Sequence, residues 1–590
     1  MPVITQAHGV KTVKGLPARW AARAYKELSA AQEGVIGAMP ERYKVLAAML
    51  DEVTNAPLPL DATDAHLCVL AERYANECAS VGATLHDLGA LRARMAWIVV
   101  DKGLEVPDEA DDKQFIYRCT DPAWWRRNLR RVHGRAFEHA AIRLGFVSVR
   151  AGAYCSDETV KRRLAQNRRN TKSLESVTME NENGQSFTLA ALAAKGTSNK
   201  TIRRGELMLR MAGCEDIATE LGDVGLFVTL TNPSKYHAVL AASGTLNPKY
   251  NGATPREAQQ ALMDVWACTR AKNQRDGLRP YGFRIAEPHH DGCPHWHILM
   301  FAPADQIDQV EANLRTYALA EDGDETGAQA NRVKFVRIDP RLGTAAGYIA
   351  KYVGKNIDDE HVGVHVDADG VIAADLVGDE VIRPSQRVEA WAATWGIRQF
   401  QPIGQPPVTV WRELRRVEAE RVAGAPQHIA DAWAACQRET ATDADTGEVT
   451  VTKPADFAAY IRAQGGVNMG RDYRIAIAAP LKAVEGRYGL IDRPVPTGIY
   501  CRAAPDITYA SMRHTWRRTG VAVALRSPRS PVNNCTQDLE PYWADSAAAP
   551  QEVAPHDDSE WWGAFDLPGD QAQALVDEMK KYAGHSAGAW

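Results

Sequence analysis

The chain has 590 residues, of which 45% are apolar and 24% charged, the balance of an ordinary globular protein. At about 150 residues per domain, this length points to about four domains. The formal net charge is −5, so any surface for a polyanion must come from local clusters of charge. No run reaches the roughly 18 apolar residues of a membrane span, and residues 1–15 lack the apolar stretch of a signal peptide. The expected place is therefore a cytoplasm. Ten cysteines are scattered with no Cys-x-x-Cys pair, which argues against a zinc finger; a disulfide scaffold does not fit this length.

Residues 1 to about 120 read as helical, with Ala-rich amphipathic stretches at Pro40–Val53 and His66–Cys78 and no evident chemistry. From Trp124 the chain turns basic. Trp124-Trp125-Arg126-Arg127 is followed by Arg130, Arg131 and Arg135, then Lys161-Arg162-Arg163, Arg168-Arg169 and Arg203-Arg204. Tryptophans beside clustered arginines suit a nucleic-acid backbone with occasional base stacking; the rival reading is a solvated helix face. Residues Asn181–Gly184 read as a turn between two helical pieces.

The middle of the chain alternates strand and helix signals. Leu226–Thr231 is a β-branched and apolar run stopped by Asn232-Pro233-Ser234. Thr254-Pro255-Arg256-Glu257 opens a helix toward Ala271: Thr254 caps, Pro255 suits the first helical position and Glu257 reaches back. Tyr281–Glu287 and His295–Phe301 read as antiparallel strands joined by a turn containing Asp291-Gly292. Gln306–Leu319 reads as helix, Val333–Ile338 as a fourth strand and Gly343–Lys355 as a last helix. The order strand, helix, strand, strand, helix, strand predicts an α+β fold with a ferredoxin-like βαββαβ antiparallel sheet. Beyond it the chain runs into an acidic tail rich in Ala and Pro, up to Asp558, with a short amphipathic helix expected at Gly569–Tyr582.

Two sets of residues in this core carry chemistry. In a strand, alternate side chains share a face, so His295 and His297 point one way and Trp296 the other. Two imidazoles side by side form half a metal site, and Glu287, across the hairpin, completes a three-ligand set. A mixed nitrogen and oxygen set suits Mg²⁺ or Mn²⁺ as readily as zinc. His289 and His290, in the turn, are rival ligands. The second set is Tyr348-Ile349-Ala350-Lys351-Tyr352. Residues four apart share a helix face, so the tyrosines form either a packed stripe or a pair of nucleophiles. A tyrosine with its pKa near about 10 is a poor nucleophile unless a metal on the phosphate and a nearby lysine help it.

These motifs in this order resemble those of the HUH endonucleases: Phe227–Thr231, then Glu287-Pro288-His289-His290-Asp291-Gly292 with His295-Trp296-His297, then Tyr348–Tyr352. More narrowly they resemble the bacteriophage replication gene A proteins, two-tyrosine initiators of rolling-circle replication. Tyr154–Asn170, Arg203–Leu207, Asn232–His237, Arg387–Trp391, Trp395–Phe400 and Val532–Thr536 look typical of that family too, so the likeness spans roughly residues 120–540. It implies a site-specific, metal-dependent single-strand DNA endonuclease and strand transferase. His295, His297 and Glu287 would hold the divalent metal. Tyr348 and Tyr352 would be the nucleophiles, and Lys351 would stabilise the phosphate or the leaving group. Arg126, Arg127, Arg162, Arg163, Arg168 and Arg169 would contact single-stranded or supercoiled phage origin DNA. A host helicase and polymerase would be partners, in the cytoplasm of a bacterial host, with no membrane role. The expected organisation is a helical region of unknown role (1–120), a basic helical region (121–215), the endonuclease core (216–360), a family-typical C-terminal region (361–540) and an acidic linker with a tail helix (541–590). A plasmid-type Rep or transposase of the HUH class is the neighbouring alternative, and a non-catalytic DNA-binding replication factor is the alternative from another class.

Overall fold

In a computed structural model, the described residues are 16, 20–22, 58–357 and 382–519, except 86, 108–110, 242–243, 342–343 and 443–448. The expected helix at Pro40–Val53, the motif Val532–Thr536, the acidic tail and the helix at Gly569–Tyr582 lie outside them. Helices and antiparallel sheets are mixed, so the fold is α+β. No helix among the described residues is long and apolar enough to cross a membrane.

Helices α1 (Asp64–Thr84), α2 (Leu88–Asp101) and α3 (Asp112–Cys119) pack with α4 (Pro122–Arg143) around one apolar cluster. Here the structure corrects the reading of Trp124 and Trp125. Both are buried, at 5% and 0% exposure, with Trp125 against Tyr74 at 5.3 Å between ring centroids. The Trp125 indole also donates to the Cys119 carbonyl at 2.8 Å. On α4 the apolar positions Trp125, Leu129 and Phe137 recur at helical spacing and face inward, while Arg126, Arg127, Arg130 and Arg131 take the more exposed sides. The tryptophans are core residues and offer no stacking platform.

Helix α5 (Asp157–Glu175) carries the second basic run. A second correction follows it. The Asn181–Gly184 turn joins two short strands, β1 (Thr178–Asn181) and β2 (Ser186–Thr188), rather than helical pieces. Trp516–Arg518 pairs with the other edge of β1, across more than 330 residues of chain that local sequence pattern cannot bridge.

Helix α6 (Lys200–Leu221) leads into the central sheet. Its strands are β3 (Val224–Leu230), β4 (Tyr281–Pro288), β5 (Pro294–Ala302), β6 (Val333–Arg337) and β7 (Phe400–Ile403). They lie in the order β6-β3-β5-β4-β7, and every neighbouring pair is antiparallel. All residues of β4 and β5 are buried, because both faces are covered. On one face Leu226, Val228, Trp296, Ile298 and Met300 pack with α7 (Pro255–Arg275) and α8 (Ile307–Ala318). The α7 start is the expected capping box, Thr254 with Glu257. On the other face Phe227, Phe283, Ile285, Leu299 and Phe301 pack with α6 and with α9 (Ala345–Ile357). Helix α10 (Pro384–Trp395) then closes over the β4–β5 turn, where the Trp391 indole donates to the Gly292 carbonyl at 2.8 Å. Gly292 has φ +82°, the left-handed region that glycine enters without strain.

Glu389 on α10 links this helix to the basic region. It accepts from Arg163 at 3.2 Å, Asn167 at 2.8 Å and Lys200 at 2.8 Å. Burial works against its charge, but Lys200, Asn167 and Arg163 outweigh it and hold the pKa down to about 2. A carboxylate depressed in the folded state stabilises fully above its unfolded pKa near about 4.3 and loses that contribution as pH falls toward about 2. The stability gap between the wild type and Glu389→Gln, measured by urea unfolding, should therefore be full at about pH 6 and shrink steadily through that acid window. A gap constant across the window would show that the charge on Glu389 contributes nothing.

Candidate functional site

The candidate site sits at one end of the central sheet, on the face that α9 covers. Strand alternation puts His295 and His297 on this face and Trp296 on the opposite one, where its indole donates to Gln259 at 2.9 Å and the Arg284 guanidinium lies 3.9 Å from the ring. Glu287 is the direct cross-strand partner of His295, and His297 lies level with Thr229 of β3 and Ile285 of β4. Glu287, His295 and His297 are 1%, 8% and 6% exposed, and their ligand atoms lie within 4.8 Å of one another. They form the only such group of three among the described residues.

The local chemistry fits a small cation. His295 Nε2 and His297 Nε2 approach to 3.1 Å, and His297 Nε2 lies 3.8 Å from Glu287 Oε2. Neighbouring ligands around a cation bound at about 2.1 Å are themselves about 3 Å apart. Thr229 Oγ1 lies 3.2 Å from His297 Nδ1. A hydrogen on Nδ1 shared with Thr229 leaves the Nε2 lone pair directed at the cluster, the arrangement that orients metal-bound histidines.

The two rival histidines take other positions. His289 stacks on His295 at 4.0 Å between centroids, and His290 stacks on Tyr154 at 5.4 Å, away from the trio. Next to His289 a second pair is built, with His237 Nδ1 3.0 Å from Asp291 Oδ2. Burial opposes a charge on His237, but the Cys293 sulfur and the Asp291 carboxylate push its pKa well above the ordinary histidine value. The pair braces the hairpin turn from behind.

Helix α9 brings the tyrosine motif over this cluster. Its first turn is held from outside: the Glu215 carboxylate on α6 accepts from the backbone N–H groups of Ala345 at 2.7 Å and Ala346 at 2.9 Å. An acid there satisfies donors that the helix leaves unpaired and suits the positive end of its dipole. Ile349, Val353 and Ile357 bury the inner stripe. Tyr352 lies with its ring centroid 4.1 Å from that of His297 and 5.4 Å from Phe227. The side chains of Tyr348 and Lys351 lie outside the described residues; Tyr348 occupies the same helix one turn before Tyr352.

The six arginines expected at DNA do not converge with this cluster through any described interaction. Arg127 donates to the Tyr488 hydroxyl at 3.3 Å, Arg162 lies 3.8 Å over the Phe137 ring, and Arg163 pairs with Glu389. Arg126 is half-buried on α4, whereas Arg168 and Arg169 are exposed on α5. Two residues of the site have no role predicted from sequence. Asn356 lies four residues after Tyr352 on the same helix face and donates to Glu287, and Gln399 donates to Asn356 at 2.8 Å. The 348, 352, 356 spacing is the signal that points to Asn356.

Residues 101–360 match the bacteriophage replication gene A protein family. The replication gene A protein of Escherichia phage 186 is 41% identical over 363 residues, which cover 60% of this chain and 49% of that protein. The replication gene A protein of Escherichia phage P2 is 34% identical over 482 residues, covering 76% of this chain and 59% of that protein. A probable replication endonuclease from a prophage-like region of Salmonella paratyphi A is 34% identical over 388 residues, covering 64% and 45%. The chain thus spans about half the length of these curated relatives. No solved structure matches. The matched segment contains the whole candidate cluster, Glu287 to Tyr352 and Asn356.

Proposed function

We propose that the chain is a site-specific, metal-dependent single-strand DNA endonuclease and strand transferase that starts and ends rolling-circle replication of a phage genome. The observation that carries this reading is the placement of Tyr352 against His297, beside three convergent ligand groups, on a helix with a second tyrosine one turn earlier. The strand order β6-β3-β5-β4, fourth-first-third-second in the chain, supports a ferredoxin-like HUH core. The names of the relatives, replication gene A protein and replication endonuclease, point the same way.

Glu287, His295 and His297 would hold the metal, Mg²⁺ or Mn²⁺. When bound, it would supply Lewis-acid polarisation of a scissile phosphate oxygen. One tyrosine hydroxyl attacks the phosphorus in line. A tyrosine–phosphorus bond forms, the bond from phosphorus to the 3′ oxygen breaks, and the tyrosine proton ends on the released 3′-OH. Lys351 stabilises the phosphate or the leaving oxygen. The 5′-phosphotyrosine link conserves the bond, so a later 3′-OH can attack it and close a circle without ATP. The second tyrosine, on the same helix face, cuts the regenerated origin after one round.

Around this core (216–360) we assign a helical region (1–120), a basic region (121–215), a C-terminal region (361–540) and a tail (541–590). The substrate is single-stranded or supercoiled phage origin DNA. A host polymerase extends the 3′-OH and a host helicase unwinds the duplex ahead of it, in the bacterial cytoplasm. The direct test is to incubate the protein with supercoiled origin plasmid and Mg²⁺ and look for protein attached to the 5′ end of the nick. Attachment that depends on the metal supports the enzyme; tight binding with no nick would leave a DNA-binding factor.

Neutralising Arg168 and Arg169 should lower the salt slope of DNA binding by up to about 0.7 to 0.9 for each phosphate they no longer neutralise. Neutralising Arg162 and Arg163 should cost stability as well, since they serve Phe137 and Glu389. A slope unchanged in the Arg168, Arg169 variant, read from binding between low and high salt, would make the α5 charges a solvated face only.

A further inference from the structure

A chain of three buried polar side chains runs from β4 through α9 to the residue ahead of β7. Asn356 is 3% exposed and Gln399 is 8% exposed. The Asn356 side-chain nitrogen donates to Glu287 Oε1 and to the Tyr352 carbonyl, the latter at 2.5 Å. Its oxygen accepts from Gln399 Nε2 at 2.8 Å. Both partners of the nitrogen are pure acceptors, which fixes the orientation of the amide. Gln399 is fixed in turn, because its backbone carbonyl accepts from the backbone N–H of Ala286, the residue before Glu287.

We propose that Asn356 is a positioning residue for the metal, holding Glu287 so that Oε2 alone is presented to the cation and tying the tyrosine helix to the ligand set. This rests on the metal-site reading given above. With Oε1 engaged by Asn356, turning the carboxylate to offer both oxygens costs that hydrogen bond, and Oε2 keeps its aim at His297 Nε2, 3.8 Å away. Helical asparagines often bond the carbonyl four residues back, as Asn356 does with Tyr352. What that habit does not explain is the second hydrogen, given to a carboxylate buried to 1% exposure on a different element. The same nitrogen thus bridges the backbone of a candidate nucleophile and a candidate ligand. Outer partners of this kind orient metal ligands, and removing them typically weakens metal affinity by about 10- to 100-fold.

The test uses the full chain, with Mn²⁺ alone as the probe and no DNA, reading unbound Mn²⁺ by electron paramagnetic resonance. Asn356→Ala should raise the Mn²⁺ Kd by about 10- to 100-fold. Gln399→Met, which keeps the volume and removes the donor, should raise it less, in the same direction. The Mn²⁺ concentration for half-maximal cleavage of an origin oligonucleotide should shift with the Kd. Should Asn356→Ala fail to fold by circular dichroism, Gln399→Met decides alone. A wild-type Kd in the variants, with binding lost in His297→Ala, would overturn the positioning role and leave the metal site standing. Equal Mn²⁺ binding by the wild type and His297→Ala would remove the metal site itself, and this inference with it.

Discussion

His297→Ala is expected to abolish nicking while DNA binding largely survives. His297 is central in the cluster: its Nε2 faces His295 at 3.1 Å and Glu287 at 3.8 Å, and its Nδ1 faces Thr229. Removing it leaves two ligands, too few to hold a cation in place. A metal polarising a phosphate supplies several kcal/mol of transition-state stabilisation, so its loss corresponds to a rate fall of about a thousandfold or more. Binding is assigned to arginines on other elements, so it should change little. The His297 ring also stacks on Phe227 and Tyr352, and Ala removes that packing as well. His297→Leu, which keeps more of the volume and offers no ligand atom, should be equally inactive in cleavage. Nicking at the wild-type rate by either variant would remove the site.

The tyrosines carry the second large effect. Tyr348→Phe and Tyr352→Phe should each still cleave a single-stranded origin oligonucleotide to some degree, because one hydroxyl remains on the helix face. Neither should complete a cycle of cleavage, displacement and circle closure, which needs two nucleophiles in turn. The double variant should cleave nothing, although its metal ligands are intact. Circle production by a single variant at the wild-type yield would reduce the protein to a one-tyrosine enzyme of the plasmid Rep or transposase kind.

Much of this site is legible in the sequence because its residues obey short-range rules. The His295-x-His297 pair shares a face by strand alternation, and Glu287 lies opposite His295 because the turn between them sets the register. The strands and helices of the sheet fall within a few residues of their expected ends, helped by local caps and stops such as the capping box at Thr254 and the Asn232-Pro233-Ser234 run after the first strand. The tyrosine spacing is legible for the same reason, and Asn356 continues it by one more turn. What local pattern does not carry is anything that depends on which face a helix turns inward. Trp124 and Trp125 adjoin arginines in sequence but point into the N-terminal core, because side chains next to each other on a helix can lie on either side of its boundary with solvent. Arg162 and Arg163 likewise find Phe137 and Glu389, the latter more than 220 residues away. Strand β7 gives no sequence signal of its own, because it is four residues long and its partner, β4, precedes it by over a hundred positions.

The most direct measurement is the identity of the residue that becomes joined to DNA. The protein is allowed to cleave an origin oligonucleotide in Mg²⁺, the adduct is digested, and the modified peptide is sequenced by mass spectrometry. The expected adduct is a phosphotyrosine at Tyr348 or Tyr352, on the peptide from α9, absent when His297 is replaced. An adduct at another tyrosine, such as Tyr236 or Tyr281, would contradict the account and make the helix pair a packed stripe.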